Sequence, residues 1–374
     1  MESTSGASRE TTPESVTVVG VIDTSESSCE ITSDSDGSGS SNEFPKCTSA
    51  WDCHFVDKLG VRYRQCDIFE IILNQWRLFN LFKEDYLEVE SCLKACDLEA
   101  NYDSLEDIPV EKAFAPEVQW RTRVQTQEND ILREPLVSKW FLGKLTEINR
   151  CIASIISQIK PGGVVSELKY QVLFEKVLQA FGLTTLSDPF IVTQKAQILG
   201  RTTSSKADIL CCRDDLVHPV IFVCESVHEN CSEVKKTLSK EDDDLSPPKK
   251  KLRASSLHDA ETSYIGDQRI WSQHIGELFV YLELSPISDR ILGFTIEKTW
   301  IRVTFLKVHP TGVQKIQNTP VNRPGSLKLN DGEYPEFYFS RRYNFLKRQD
   351  RKDLFKALLL IKIMGVRREA ARKS

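Results

Sequence analysis

The pattern of apolar positions divides the chain into segments of different period. Over residues 1–46 Ser, Thr, Asp, Glu and Gly dominate, with SSCEITSDSDGSGSSNE at the centre and Val16–Ile22 as the one short apolar run. Such a stretch buries too little apolar surface to offset its ordering entropy, so a disordered acidic tail is expected, with Val16–Ile22 either a docking strand or part of a solvated extension. Farther on, Phe69, Trp76, Phe79, Phe82 and Tyr86 are spaced as on one amphipathic helix from Cys66 to about Ala95. Leu136, Trp140, Leu145, Ile148, Ile152 and Ile155 trace a second helical stripe from about Pro135 to Gln158. Pro109 to Gln127 reads as loop or strand, and Pro161-Gly162-Gly163 punctuates the chain. A mostly helical region over 47–160 is expected to end there.

Beyond the break the period changes. Ser166 to Phe181 reads as a helix with Ser166 as N-cap and Gly182 at the C-terminal position. Ala207–Cys212 and Val220–Val227 read as two strands joined by RDDLVHP. Residues 229–263 are polar and are expected to be a disordered insertion. Tyr264 to Glu283 reads as a helix, Ile291–Ile296 and Trp300–Val308 as a hairpin turning at Glu297-Lys298, and Arg351 to Ala371 as a last helix. The expected class is α/β (α+β): a mixed sheet flanked by helices over 161–340, followed by a basic C-terminal helix and tail over 341–374.

Charge changes this picture more than composition does. The net charge of −5 suggests an acidic protein, but nine acidic residues against two basic ones give residues 1–46 a charge of −7. Everything after the tail is therefore weakly positive. Arg341–Ser374 holds twelve basic residues against three acidic, with Tyr338, Phe339, Tyr343 and Phe345 interleaved before and within it. That suits a phosphate-backbone surface; a helix packing Leu354, Leu358, Ile361 and Met364 inward and solvating its charges has the same pattern. Lys249, Lys250, Lys251 and Arg253 form a compact basic cluster in the expected insertion, beside Ser246-Pro247. Such a cluster reads as a nuclear-import signal, and hence an import-receptor contact, or as a solvated charged loop.

Eleven cysteines without a secretory signal at the N-terminus point to free thiols in a reducing compartment. The longest nearly apolar runs are too short to span a bilayer, so no membrane segment is expected. Cys224, His228 and Cys231, near Cys211, Cys212 and His218, lack a C-x-x-C pair; buried strand cysteines account for them better than zinc. No P-loop, Rossmann, zincin or G-x-S-x-G motif occurs, and His54, His258, His274 and His309 have no evident partners.

The candidate chemistry lies in misplaced carboxylates. On the 166–181 helix Tyr170, Leu173, Phe174, Val177, Leu178 and Phe181 share one side, and Glu167 falls with them, whereas Glu175 falls opposite with Gln171 and Gln179. A carboxylate aimed at a core needs a partner, unless Glu167 bends out to water from the first helical turn. By strand alternation Asp208 shares a face with Leu210, and Glu225 shares one with Val223 and Ile221. If the two strands pair, these acids meet near a sheet end. A helix acid and two strand acids supply the hard oxygen ligands that Mg²⁺ requires.

This arrangement resembles the PD-(D/E)XK, or restriction-endonuclease-like, nuclease superfamily, and more narrowly the diverged nuclease-like domains of Crinkler-type proteins. The resemblance covers about Val164 to Val308: the Glu167 helix, KADIL with Asp208, VIFVCESV with Glu225, GDQRIWSQHIGEL with Gln268 and Gln273, and the ILGFTIEKTWIRVTF hairpin. It implies a metal-dependent phosphodiesterase site in which Glu167, Asp208 and Glu225 hold Mg²⁺ and Gln273, or Gln268, is the polar residue of the following helix. It also implies a nucleic-acid partner, DNA or RNA. The lysine of the E-x-K motif is replaced by Val227, which can neither orient water nor offset phosphate charge. His228 would point to the other face, and Lys235 and Lys236 fall in the insertion. The alternative is accordingly a catalytically inactive nuclease-fold interaction protein.

Overall fold

The continuous apolar strand VIFVCES sits at the middle of the architecture. The computed structural model describes residues 44–75, 83–95, 97–98, 100–109, 136–212, 220–226, 270–320 and 327–373. Val16–Ile22, the 229–263 insertion with Lys249, Lys250, Lys251 and Arg253, Val227, His228 and Gln268 lie outside the described residues. So do Trp76, Phe79, Phe82 and nearly all of Pro109–Gln127.

The elements, in order, are helix α1 (Cys53–Lys58), strand β1 (Arg62–Gln65), α2 (Ile68–Gln75), α3 (Lys83–Ala95), α4 (Leu136–Ile159) and α5 (Glu167–Ala180). Strands β2 (Thr184–Ser187), β3 (Gln194–Ile198), β4 (Arg201–Ser205), β5 (Ile209–Cys212) and β6 (Val220–Ser226) follow. A helix over residues 270–281, α6, precedes β7 (Arg290–Glu297) and β8 (Trp300–Lys307). The chain then forms α7 (Pro310–Asn318), β9 (Glu336–Phe339), β10 (Tyr343–Asn344) and α8 (Arg348–Lys373).

The main sheet runs β1-β9-β8-β7-β6-β5-β2, with β10 also on β8. Its β5–β6, β7–β8 and β8–β9 pairs are antiparallel, whereas β6–β7 and β1–β9 are parallel. This is a mixed sheet flanked by helices. Strand β6 is buried along its whole length, as expected for a strand covered on both faces. One core, with Phe174, Phe222, Phe294 and Ile361, packs helices α2, α3, α4, α5 and α8 on one face. The other, with Trp51, Val223, Ile275 and Phe337, packs α1 and α6 on the opposite face. The β3–β4 hairpin contributes Ile198 to that second core.

Several expectations are corrected. The described part of Cys66–Ala95 is two helices, α2 and α3, and Tyr86, placed on the apolar stripe, is 42% exposed. Residues 47–160, expected to be mostly helical, also supply a strand: β1 joins the main sheet in parallel with β9. Residues Phe44–Ser374 form one compact unit, so Pro161-Gly162-Gly163 is a connection within it. The hairpin turns at Lys298-Thr299, because Glu297 still pairs with Trp300. Ile221 does not share a core with Val223: a register shift between Cys211 and Cys212 pairs Cys212 with Val220 and places Ile221 in the other cluster. Gln171 is buried rather than solvent-facing, and Glu175 is tied to the hydroxyls of Thr185 and Ser187 on β2.

The predicted helices over 135–158 and 166–181 match α4 and α5 closely. In α4 Ile148, Ile152 and Ile155 are buried at helical spacing. Ser166 holds the N-cap position of α5 without a side-chain hydrogen bond, and Gly182 has φ +69°, a conformation that glycine adopts at little cost.

Candidate functional site

Strand pairing brings the two sequence-nominated acids together. In the β5–β6 ladder Ile209 faces Cys224, so Asp208, one residue before β5, stands opposite Glu225. The Ser226 N–H donates to Asp208 Oδ2 at 2.7 Å, and Gln171 Nε2 on α5 donates to the Asp208 carbonyl at 2.7 Å. These bonds fix Asp208 from both neighbouring elements.

From α6, Gln273 Nε2 donates to Glu225 Oε1 and, at 3.4 Å, to Glu277 Oε1. Glu225 and Glu277 are both buried. Glu167, half-buried at the first turn of α5, is near enough to act electrostatically on both Asp208 and Glu225. The structure thus brings Glu167, Asp208, Glu225 and Gln273 to one end of the sheet.

The electrostatics follow from that crowding. Burial pushes the Asp208 carboxyl up to about 7; the Ser226 amide opposes the shift, while Glu277 and Glu167 add to it. Burial, then the carboxylates of Glu277 and Asp208, hold Glu225 well above the usual carboxylate range. No Lys or Arg is among the strongest influences on either group. Behind the acids, the buried Tyr281 hydroxyl accepts the Ala207 N–H at 3.4 Å, and burial pushes that phenol up to about 12.

Glu277 is the residue missed by sequence reasoning. It is 1% exposed, and among the described residues its Oε2 has no hydrogen-bond partner. His274 Nδ1 lies 3.7 Å from it. His274, assigned no role from sequence, is wholly buried and its Nε2 meets Thr304 Oγ1 at 2.7 Å. A signal existed: Ile270, His274, Glu277 and Tyr281 share one helical stripe, so Glu277 is another acid on a core-facing side.

The donor set suits a hard divalent cation in its chemistry. Glu167, Asp208, Glu225 and Glu277 are all carboxylates, and their mutual repulsion is what a cation relieves. Among the described residues, however, no group of three or more His, Cys, Asp and Glu stands in ligating arrangement. Ion binding therefore requires the carboxylates, now tied to Ser226 and Gln273, to draw together.

Cys211, Cys212 and Cys224 are buried strand residues; burial pushes the Cys212 thiol up to about 11 and holds the Cys224 thiol well above the usual range. Comparison with protein-family models, with curated proteins and with solved structures gives no match to this chain.

Proposed function

We propose that the chain is a nuclease-like protein acting on nucleic acid, its carboxylate cluster a Mg²⁺ site for phosphodiester hydrolysis. The observation that carries this reading is the meeting of Asp208 and Glu225 on paired strands, with Glu167 from the preceding helix and Gln273 from the following one. Buried acids crowded together are costly, and a divalent cation balances them. When bound, Mg²⁺ lowers the pKa of a coordinated water and neutralises phosphate charge. Asp208 and Glu225, with Glu167, would hold it. Gln273 fixes the Glu225 carboxylate by hydrogen bonding, and Ser226 and Gln171 fix Asp208. The basic cluster Lys249–Arg253 supports a nuclear location and an import-receptor partner.

The test is cleavage of plasmid DNA and of RNA with Mg²⁺ or Mn²⁺, comparing wild type with Asp208→Ala. Loss of cleavage by a factor of at least ~100 in the variant is expected; equal cleavage by both proteins defeats the assignment. A second reading, an inactive scaffold used for interaction, is favoured by Val227 at the lysine position and by the lack of a basic group among the main influences on Asp208 and Glu225. It predicts no cleavage from either protein.

A further inference from the structure

Helices α3 and α8 are joined by a ladder of charges. Lys356 Nζ of α8 lies 3.3 Å from Glu90 of α3. Farther along the same seam the Arg348 guanidinium grips the Asp97 carboxylate, just past α3, through two of its nitrogens. The contact advances from Glu90 to Asp97 as it retreats from Lys356 to Arg348, so the two segments run antiparallel along the seam. The rung between these pairs breaks the pattern. One helical turn on from Glu90 comes Lys94, and one turn back from Lys356 comes Lys352. Two lysines therefore stand opposite each other where the flanking rungs pair an acid with a base. Both are exposed, and among the described residues neither has a hydrogen bond or an ion pair. Arg348 dominates the charge at Asp97, and Lys352 adds to it only weakly.

The two lysines line a cleft of about 670 Å³, within the ~300–1,000 Å³ of small-molecule sites. Leu93 and Phe355 give it an apolar wall. The acids of the cleft are already met: Asp97 by Arg348, Asp103 by Lys347 at 2.6 Å, and Glu90 by Lys356. Five basic side chains line it against three acidic ones, and Lys94 and Lys352 are the cations left without a partner.

The charge and the donors select the ligand. Like charges on one rung repel, and an anion between them removes that cost. Helices packed at ~8–10 Å bring facing lysines, on their flexible stems, within reach of one anion. A phosphomonoester carries about −1.5 to −2 at neutral pH and three acceptor oxygens, enough for both ammonium groups. A carboxylate or a phosphodiester carries a single charge and balances only one of them. The apolar wall takes the group to which the phosphate is attached.

We propose that the α3–α8 cleft binds a small phosphomonoester, with its phosphate between Lys94 and Lys352 and its apolar part against Leu93 and Phe355. The cleft shares no residue with the carboxylate cluster, so the inference stands whether or not that cluster hydrolyses phosphodiesters.

The experiment is isothermal titration of the full chain at low salt in EDTA, with phenyl phosphate as the probe. Wild type should bind it saturably, and at least ~5-fold more tightly than inorganic phosphate, which lacks the apolar part, or benzoate, which lacks the second charge. Lys94→Gln/Lys352→Gln should weaken binding at least ~10-fold, and Lys94→Arg/Lys352→Arg should stay within ~3-fold of wild type. Lys352→Glu gives Lys94 a partner of opposite sign. It should abolish binding and raise the urea midpoint of the ligand-free protein, whereas lysines that stand apart in solvent leave the midpoint unchanged.

Asp208→Ala should bind phenyl phosphate as wild type does; weaker binding there places the phosphate at the carboxylate cluster and overturns the inference. No saturable binding by wild type, or equal binding by wild type and the glutamine double variant, overturns it as well. So does displacement of phenyl phosphate by a single-stranded oligonucleotide at a lower concentration of phosphate groups, which assigns the cleft to a nucleic-acid backbone instead.

Discussion

At Asp208 a single carboxyl is held by its backbone neighbours in a place that disfavours its charge. The Ser226 amide at 2.7 Å favours the ionised form, but burial outweighs it and the group titrates near 7. Its folded value lies above the ~3.9 of an unfolded chain. Between those values the folded protein retains a proton that the unfolded chain releases, so stability falls as pH rises from about 4 to about 7 and is lowest above 7. Glu225, also raised, extends the loss to higher pH. Asp208→Asn removes its share of this slope: in urea unfolding at pH 5 and pH 8, the variant should gain on the order of 2 kcal/mol relative to wild type at the higher pH, after allowance for the partial exposure of the group. An equal difference at both pH values would remove the raised carboxyl from the account. Strand alternation placed Asp208 and Glu225 each on an apolar face, and their meeting depended on the two strands pairing, which the β5–β6 ladder supplies. Glu277 was equally legible in principle, since it interrupts the Ile270–Tyr281 stripe as Glu167 interrupts its own, although the motif order that the resemblance implies ends at Gln273.

At the scale of elements, local period was a good guide where one face is buried and a poor one elsewhere. Helices α4 and α5 carry a clear stripe, and β6 a continuous apolar run, and each was read closely from sequence. The strands β1 (RYRQ) and β4 (RTTSS) have no apolar alternation; β1 is held by parallel pairing with β9, more than 250 residues away, and no local pattern encodes that. Helix α8 departs from its expected reading in another way. Leu354, Phe355, Ala357 through Ile361, Ile363 and Met364 are all buried, so the helix is enclosed rather than amphipathic along this stretch. Its entry is pinned by Arg351, which is 3% exposed. The Arg351 guanidinium donates to the carbonyls of Phe345, Leu346, Leu98 and Ala100 at 2.5–3.0 Å, joining the 97–109 segment to the start of the helix. Removing it strands buried carbonyls. Arg351→Met should cost about 3 kcal/mol in equilibrium unfolding, and Arg351→Lys more than half of that, because one ammonium cannot reach four acceptors in this fork. A loss below ~1 kcal/mol in the Met variant would show that water replaces the guanidinium.

Across the whole molecule the charge pattern acquires a different meaning once partners are known. The C-terminal excess of positive charge reads in sequence as a phosphate surface or as a packed helix with solvated charges, and acids both distant and local meet its cations. Lys347 meets Asp103 at 2.6 Å, Arg348 meets Asp97, Lys356 meets Glu90 at 3.3 Å, and Arg341 meets Asp350 at 2.6 Å. Arg351 spends its donors on backbone carbonyls. Each exposed pair contributes little to stability, yet each places an opposite charge within a few ångströms, well inside the ~8–10 Å screening length, so the outward field of these paired cations is reduced. Lys347→Gln with Lys356→Gln should change oligonucleotide affinity by less than about twofold at fixed salt and leave the salt slope within ~0.3 of wild type, since each lysine removed also releases an acid that repels phosphate only weakly across water. A fall in slope of about 1.4, at ~0.7 for each lysine, would instead place a nucleic-acid path on the α3–α8 side of the protein and select the phosphate-surface reading of the basic C-terminal segment.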